Sequence, residues 1–212
     1  MTWFFDNFDM IRELFMRHLW ISALATAIGF VVSLPIGWWA NEHPRIRGAS
    51  VAAVGVLYTI PSLAIFVLLP PILGTGFLSV INVLVALSTY AAAVMVRTAT
   101  DAFGSVSPDV LDAASAAGFS RPQRVFRVEL PLAGPVLLAG LRVVSVSTVS
   151  MLSVATLIGV SNLGSLFTDG YRRNFQTEIL IGIGAIVVLA IVLDLLLVVA
   201  GRLLMPWAVV NT

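Results

Sequence analysis

The sequence predicts an all-α integral membrane protein with five transmembrane helices. Three observations carry that prediction. The 212 residues are 59% hydrophobic and 11% charged, with a mean hydropathy of +1.01, whereas a soluble domain carries roughly 25% charged residues. Five stretches reach the length of about 20 apolar residues that a helix needs to cross a bilayer. These stretches are continuous rather than alternating, which selects helices over a barrel, the only other architecture that satisfies the backbone within lipid.

Residues 1–18 carry Asp6, Asp9 and Glu13, where a cleaved signal would be basic, so they are expected to stay on the chain. Phe4, Phe8, Ile11 and Phe15 recur at helical spacing. That pattern predicts an amphipathic helix in the outer membrane interface, with a polar extension of the first span as the plainer reading. The five expected spans are Leu19–Ala40, Ala49–Leu73, Leu78–Phe103, Gly134–Val160 and Glu178–Gly201. Together they make a transmembrane domain over 19–205, with a loop at 104–133 and a tail at 206–212. Pro35, Pro61, Pro70 and Pro71 are expected to kink or end spans, the Pro70-Pro71 pair at the close of the second.

Between the third and fourth spans lies the longest polar interruption, Asp112–Pro131. Ser107, Pro108 and Asp109 read as a helix start: hydroxyl N-cap, proline at the first position, acid in the first turn. Gly118 reads as a stop. Ser120 then caps a second short helix through Arg121–Val128, which Pro131 is expected to close. Ala113, Ala114, Ala116 and Ala117 keep the first helix thin enough to seat in a cleft on a partner.

Arginine placement orients the chain. With this loop in the cytoplasm, Arg45, Arg47, Arg97, Arg121, Arg124, Arg127 and Arg202 lie inside, while Arg12, Arg17, Arg172 and Arg173 lie outside. The N-terminus is then external and the C-terminus cytoplasmic. Trp3, Trp20, Trp38, Trp39 and Trp207 fall near span ends, at the headgroup level. The external loop Gly159–Thr177 is either a docking surface or a plain connection.

Charged groups at bilayer depth need partners. Arg142 and Asp194 are each about two turns from the cytoplasmic ends of the fourth and fifth spans, so they are expected to pair as a structural clamp. Arg97 and Asp101 are one turn apart and are candidates for a second pair. In the fourth span, Ser145, Thr148, Ser153 and Thr156 share one side, and Ser147 and Ser150 do not. That side is either the wall of a polar pathway or hydroxyl glue between helices. Tyr58, Thr59, Ser62 and Tyr90 are further pathway candidates, since tyrosine faces hold quaternary ammonium groups by cation–π attraction.

The chain has no cysteine, which excludes disulfides and thiolate metal sites. His18 and His43 are not at ligand spacing and are expected at the interface, so no metal site is assigned. A net charge of +1 gives no footprint for a nucleic-acid partner. No cluster of His or paired acids suits catalysis, so the chain is not expected to be an enzyme.

The loop also carries a resemblance. Asp112-Ala113-Ala114, three residues, Gly118, nine residues, then Val128-Glu129-Leu130-Pro131 resembles the Glu-Ala-Ala…Gly…Ile-x-Leu-Pro loop of the permease subunits of bacterial ABC importers. Asp112 and Val128 are conservative departures. Three more stretches look like the permeases for glycine betaine, choline and carnitine. They are Thr59–Gly76, the run from Tyr90 through Arg97 and Thr98, and Ile158–Gly170 with Asp194-Leu195-Leu196 in the last span. Ala93 stands where proline is expected, and Ser161-Asn162 replaces a glycine-richer stretch. The likeness covers about residues 20–205.

The resemblance implies the type I ABC importer transmembrane fold in a bacterial inner (plasma) membrane, and a translocation pathway for a quaternary ammonium solute. The implied partners are a second permease subunit, identical or homologous, a cytoplasmic ABC ATPase dimer and an external substrate-binding protein. The chain has no lysine and so no glycine-rich phosphate loop ending in Lys-Ser/Thr; ATP-Mg belongs to the partner, and no cofactor is expected here. The resemblance gives ATPase coupling to Asp112, Ala113, Ala114, Gly118, Val128, Leu130 and Pro131. Asp112 would contact the partner and Gly118 would make the bend. Methionine importer permeases are similar in size and span count. The alternative of another class is an autonomous secondary transporter or channel, which would be expected to show internal repeats and several intramembrane acids.

Overall fold

The computed structural model describes residues 2–211, without the side chains of Thr2, Pro44, Ile46, Ser50, Val51, Tyr58, Val209, Val210 and Asn211. In chain order the helices are α1 (Thr2–Asp6), α2 (Phe8–Glu42), α3 (Pro44–Thr59), α4 (Ser62–Leu73), α5 (Val80–Gly104), α6 (Pro108–Ala116), α7 (Arg121–Arg124), α8 (Leu130–Val154), α9 (Ser165–Arg172) and α10 (Gln176–Leu204). A π turn over Val125–Glu129 joins α7 to α8. Among the described residues, four segments are long and apolar enough to cross a membrane: Phe8–Glu42, Val80–Gly104, Arg121–Ile158 and Gln176–Leu204.

The expected second span is a broken pair. Arg47–Leu57 and Ser62–Leu73 meet at 97°. The cause is local: Ile60 precedes Pro61 and is held extended, at φ −72° and ψ 125°, because proline crowds an α-helical neighbour. The Tyr90 hydroxyl donates to the Ile60 carbonyl that the break leaves free. Pro70 and Pro71 occupy the last turn of α4, before Gly74 in the left-handed region. Pro35 lies inside α2 without ending it.

The N-terminus also differs from the expected separate helix over 1–18. No proline or glycine falls between Phe8 and Leu19, and α2 runs unbroken from Phe8. Most of the apolar stripe faces protein: Ile11 is buried with Leu163, Leu166 and Leu189, and Phe4 and Phe15 pack on the same cluster, while Phe8 stays exposed.

The close pairing of α2 with α5 forms the centre. A Cβ on Gly29 would lie 2.4 Å from Ala91 Cβ, and one on Gly37 2.4 Å from Ala99 Cβ. With the buried Ala25 and Ser33 in the same register, α2 offers a small residue every fourth position, which lets backbones touch. At one end Ile21, Phe66, Leu87 and Leu152 fill the core; at the other, Met95, Phe103, Leu137 and Val144 do so. By contrast, α10 buries few of its residues, among them Glu178, Gly182, Leu189 and Gly201, so its apolar length faces outward.

Candidate functional site

The Asp112–Pro131 segment is a projecting knuckle. Pro108 occupies the first position of α6, as its fixed φ favours, but the Ser107 hydroxyl makes no cap bond. At the other end Phe119 N–H donates to Ala114 O at 3.1 Å and Gly118 N–H to Ser115 O at 3.0 Å. These are the two bonds of a Schellman ending, with Gly118 left-handed at φ +84°. The Ser120 N–H then donates to Gln123 Oε1 at 2.9 Å and opens α7. Asp112, Ala113 and Gly118 are exposed, and within α6 Ala114 is the buried residue.

Pro131 does not close the second helix. It sits at the start of α8, and one apolar segment continues from Arg121 to Ile158. Proline offers no N–H to the carbonyl four residues back and crowds it. The chain widens into the π turn instead, and Leu130 N–H bonds Val125 O five residues earlier. Val128 and Leu130 are half-buried on this turn.

The structure brings Arg142 and Asp194 together. Nε lies 2.6 Å from Oδ1 and the second nitrogen 2.8 Å from Oδ2, a fork-to-fork geometry tying α8 to α10. Both side chains are half-open, beside Val143, Val146 and Ser147. Asp101 pairs with Arg47, at 3.0 Å, rather than with Arg97. A carboxylate from α5 thus ties down the start of α3.

Ser145 and Thr148 are buried within the chain, each 3% exposed, and Thr148 donates to Val144 O at 2.8 Å. Ser147, Ser150 and Ser153 are the α8 hydroxyls at more open positions. Tyr90 is buried at the α3–α4 break, Thr59 is exposed, and Ser62 is half-buried. Tyr58's side chain lies outside the described residues.

Three polar residues were missed by sequence reasoning. His18, expected at the interface, is fully buried between α2 and α8, and its Nε2–H donates to Val149 O at 3.0 Å. Asn162 is fully buried; its amide donates to Leu152 O and Val160 O, both at 3.0 Å, and its oxygen accepts from Gly164 N–H at 2.8 Å. Glu178, 1% exposed, pairs with Arg173 at 2.5 Å. These bonds fold residues 159–177 around α9 into an ordered cap. A mid-helix His in polar company and an Asn just ahead of Leu163-Gly164 were the available signals. Among the described residues, no three His, Asp or Glu side chains converge as a metal site.

The comparisons with known proteins give the family and the fold. Residues 16–209 match the model of the binding-protein-dependent transport system inner membrane component family. The chain is 32% identical over 195 residues to the osmoprotectant import permease protein OsmW of Salmonella typhimurium, covering 91% of this chain and 90% of that one. It is 34% identical over 192 residues to the choline transport system permease protein OpuBB of Bacillus subtilis, covering 90% and 86%. Among solved structures, an inward-facing MetNI methionine ABC transporter chain superposes with a TM-score of 0.74 at 22% identity, over 92% of this chain and 94% of that one, a likeness of fold. The chain belongs to the binding-protein-dependent transport system inner membrane component family.

Proposed function

We propose that the chain is the permease subunit of an ATP-driven ABC importer for a compatible solute of the quaternary ammonium type, such as glycine betaine, choline or carnitine. The observation that carries it is the exposed, Schellman-ended knuckle on a multi-pass helical chain of this family. The relatives named for osmoprotectant and choline transport support the solute class. A methionine solute has only a likeness of fold behind it.

In this reading the external binding protein delivers the solute, and a second permease subunit completes the pathway. A cytoplasmic ATPase dimer binds ATP-Mg and receives the knuckle in a groove. Closure of that dimer moves the spans as rigid bodies between outward and inward states. Asp112 meets the ATPase, and Gly118 sets the bend. The arginine distribution supports an external N-terminus and an internal tail. Thr59 and Ser62, at the broken span, line the solute's route; Ser145 and Thr148 line it only in a state where α8 parts from its neighbours. The Arg142–Asp194 fork acts as a clamp, since one satisfied pair is no proton relay.

The test is retention and uptake. The tagged chain, extracted with its partners co-expressed, is expected to hold an ATPase through purification. Proteoliposomes holding the whole complex are expected to accumulate labelled glycine betaine or choline only with ATP inside the ATPase compartment, and excess methionine is not expected to compete. Accumulation by the chain alone, without ATP, refutes the reading in favour of a secondary transporter or channel.

A further inference from the structure

Behind the knuckle lies a polar joint that the family motif leaves unspecified. Glu129 ends the π turn and is only 4% exposed. A carboxylate this deep is costly unless its oxygens are bonded. Here Arg124 Nε donates to Oε1 at 2.7 Å and Trp38 Nε1 donates to Oε2 at 2.9 Å. Arg124 also reaches Glu42 at 3.3 Å, and Arg121 donates to the same carboxylate at 3.3 Å. Trp38 and Glu42 stand on the last turns of α2, the helix whose glycines lock it to α5. The network therefore links the segment beside the knuckle to the central helix pair.

The spacing of Arg124 and Glu129 makes this link conditional. Five residues around an α-helix leave two side chains roughly 140° apart. A π turn, which bonds residues five apart, stacks them. The Arg124–Glu129 bond spans the π turn Val125–Glu129, whose wider pitch brings the two side chains toward one face.

We propose that Glu129 is a positioning residue for energy coupling: through Arg124 and Trp38 it carries displacement of the knuckle into α2. The proposal rests on the importer reading above. In a regular α-helical turn Glu129 would swing away from Arg124, and the knuckle could move without drawing α2 along.

The experiment uses the whole complex of permease, ATPase and binding protein in proteoliposomes. Uptake of labelled glycine betaine and phosphate release are measured on the same vesicles. Loss of a charged hydrogen bond corresponds to a factor of about ten or more. Glu129→Gln and Arg124→Gln are expected to lower solute moved per ATP by about that factor, with ATPase retention unchanged. Arg124→Lys is expected to restore most of the ratio. Trp38→Phe, which removes one bond and no charge, is expected to give a smaller loss and carries the test should Glu129→Gln not insert. A wild-type ratio in Glu129→Gln, or in Trp38→Phe where that variant carries the test, overturns the proposal. So does loss of ATPase retention in parallel with uptake, which marks a merely structural role. A wild-type chain that retains no ATPase overturns the importer reading instead.

Discussion

Replacing Gly29 by alanine places a methyl group where α2 meets α5. The new Cβ would lie 2.4 Å from Ala91 Cβ, 2.8 Å from Ala92 N and 2.9 Å from Ala91 C. Carbon atoms rest about 3.5–4.0 Å apart, so the helices must part by roughly 1 Å. Two of the three atoms are backbone, and no rotamer change relieves them. Overpacking of this kind costs about 1–3 kcal/mol. The same substitution at Gly184 in α10 meets no heavy atom within 4 Å. There alanine is expected to gain about 0.5–1 kcal/mol, the ordinary advantage over glycine inside a helix. Both variants add one identical methyl and share the same helix-propensity gain, so their stabilities should separate by the overpacking cost alone, about 1–3 kcal/mol. Unfolding of each purified protein in dodecyl maltoside micelles titrated with dodecyl sulfate, followed by far-ultraviolet circular dichroism, reads the difference. Gly29→Ala as stable as Gly184→Ala would refute the close-packed α2–α5 seam.

Three further outcomes follow from the site. At Gly118 no atom lies within 4 Å of an added Cβ, but φ is +84°, so the cost is conformational, about 1–2 kcal/mol for an ordinary residue and less for Asn. Uptake should therefore rank Gly, Asn, Ala, Val while membrane insertion stays constant; a valine variant that transports normally would remove Gly118 from the bend. Neutralising either partner of the Arg142–Asp194 fork should lower the folded yield, and the exchange Arg142→Asp with Asp194→Arg should recover part of it. No recovery on size-exclusion profiles would count against a mutual clamp. Asn162→Ala leaves two buried carbonyls and the Gly164 N–H without this partner, and an unsatisfied buried group costs about 1–3 kcal/mol. It should loosen the cap over residues 159–177, read as faster amide exchange there; unchanged protection would sink that assignment.

What the sequence disclosed was set by local chemistry. Gly118 announced a left-handed stop and Pro108 a helix start, because both constraints act within one or two residues. Arg142 and Asp194 could be matched from sequence because depth in the membrane is counted along each helix; in the structure they form the fork. The facing of α8 was harder. Ser145 and Thr148 do share a side, but whether that side meets protein or an opening depends on where α2 and α5 lie; these two are buried, while Ser153 and Thr156 farther along it are half-buried. His18 was misplaced for the same reason: its burial is made by α8, more than a hundred residues away.

The region after Ser120 shows most clearly where periodicity fails. A reading at 3.6 residues per turn makes Pro131 a stop and leaves Glu129 facing nothing in particular. One wider turn changes both: the proline is absorbed into a continuous segment, and Glu129 comes round onto Arg124 and Trp38. The Trp38 indole, assigned by its position to the headgroup layer, becomes a hydrogen-bond donor to a buried acid. A site that depends on a change of helical pitch is invisible to any reading that assumes the pitch. The polar residues on such a turn nevertheless leave a trace, an Arg and a Glu five apart just ahead of a proline that the chain does not obey.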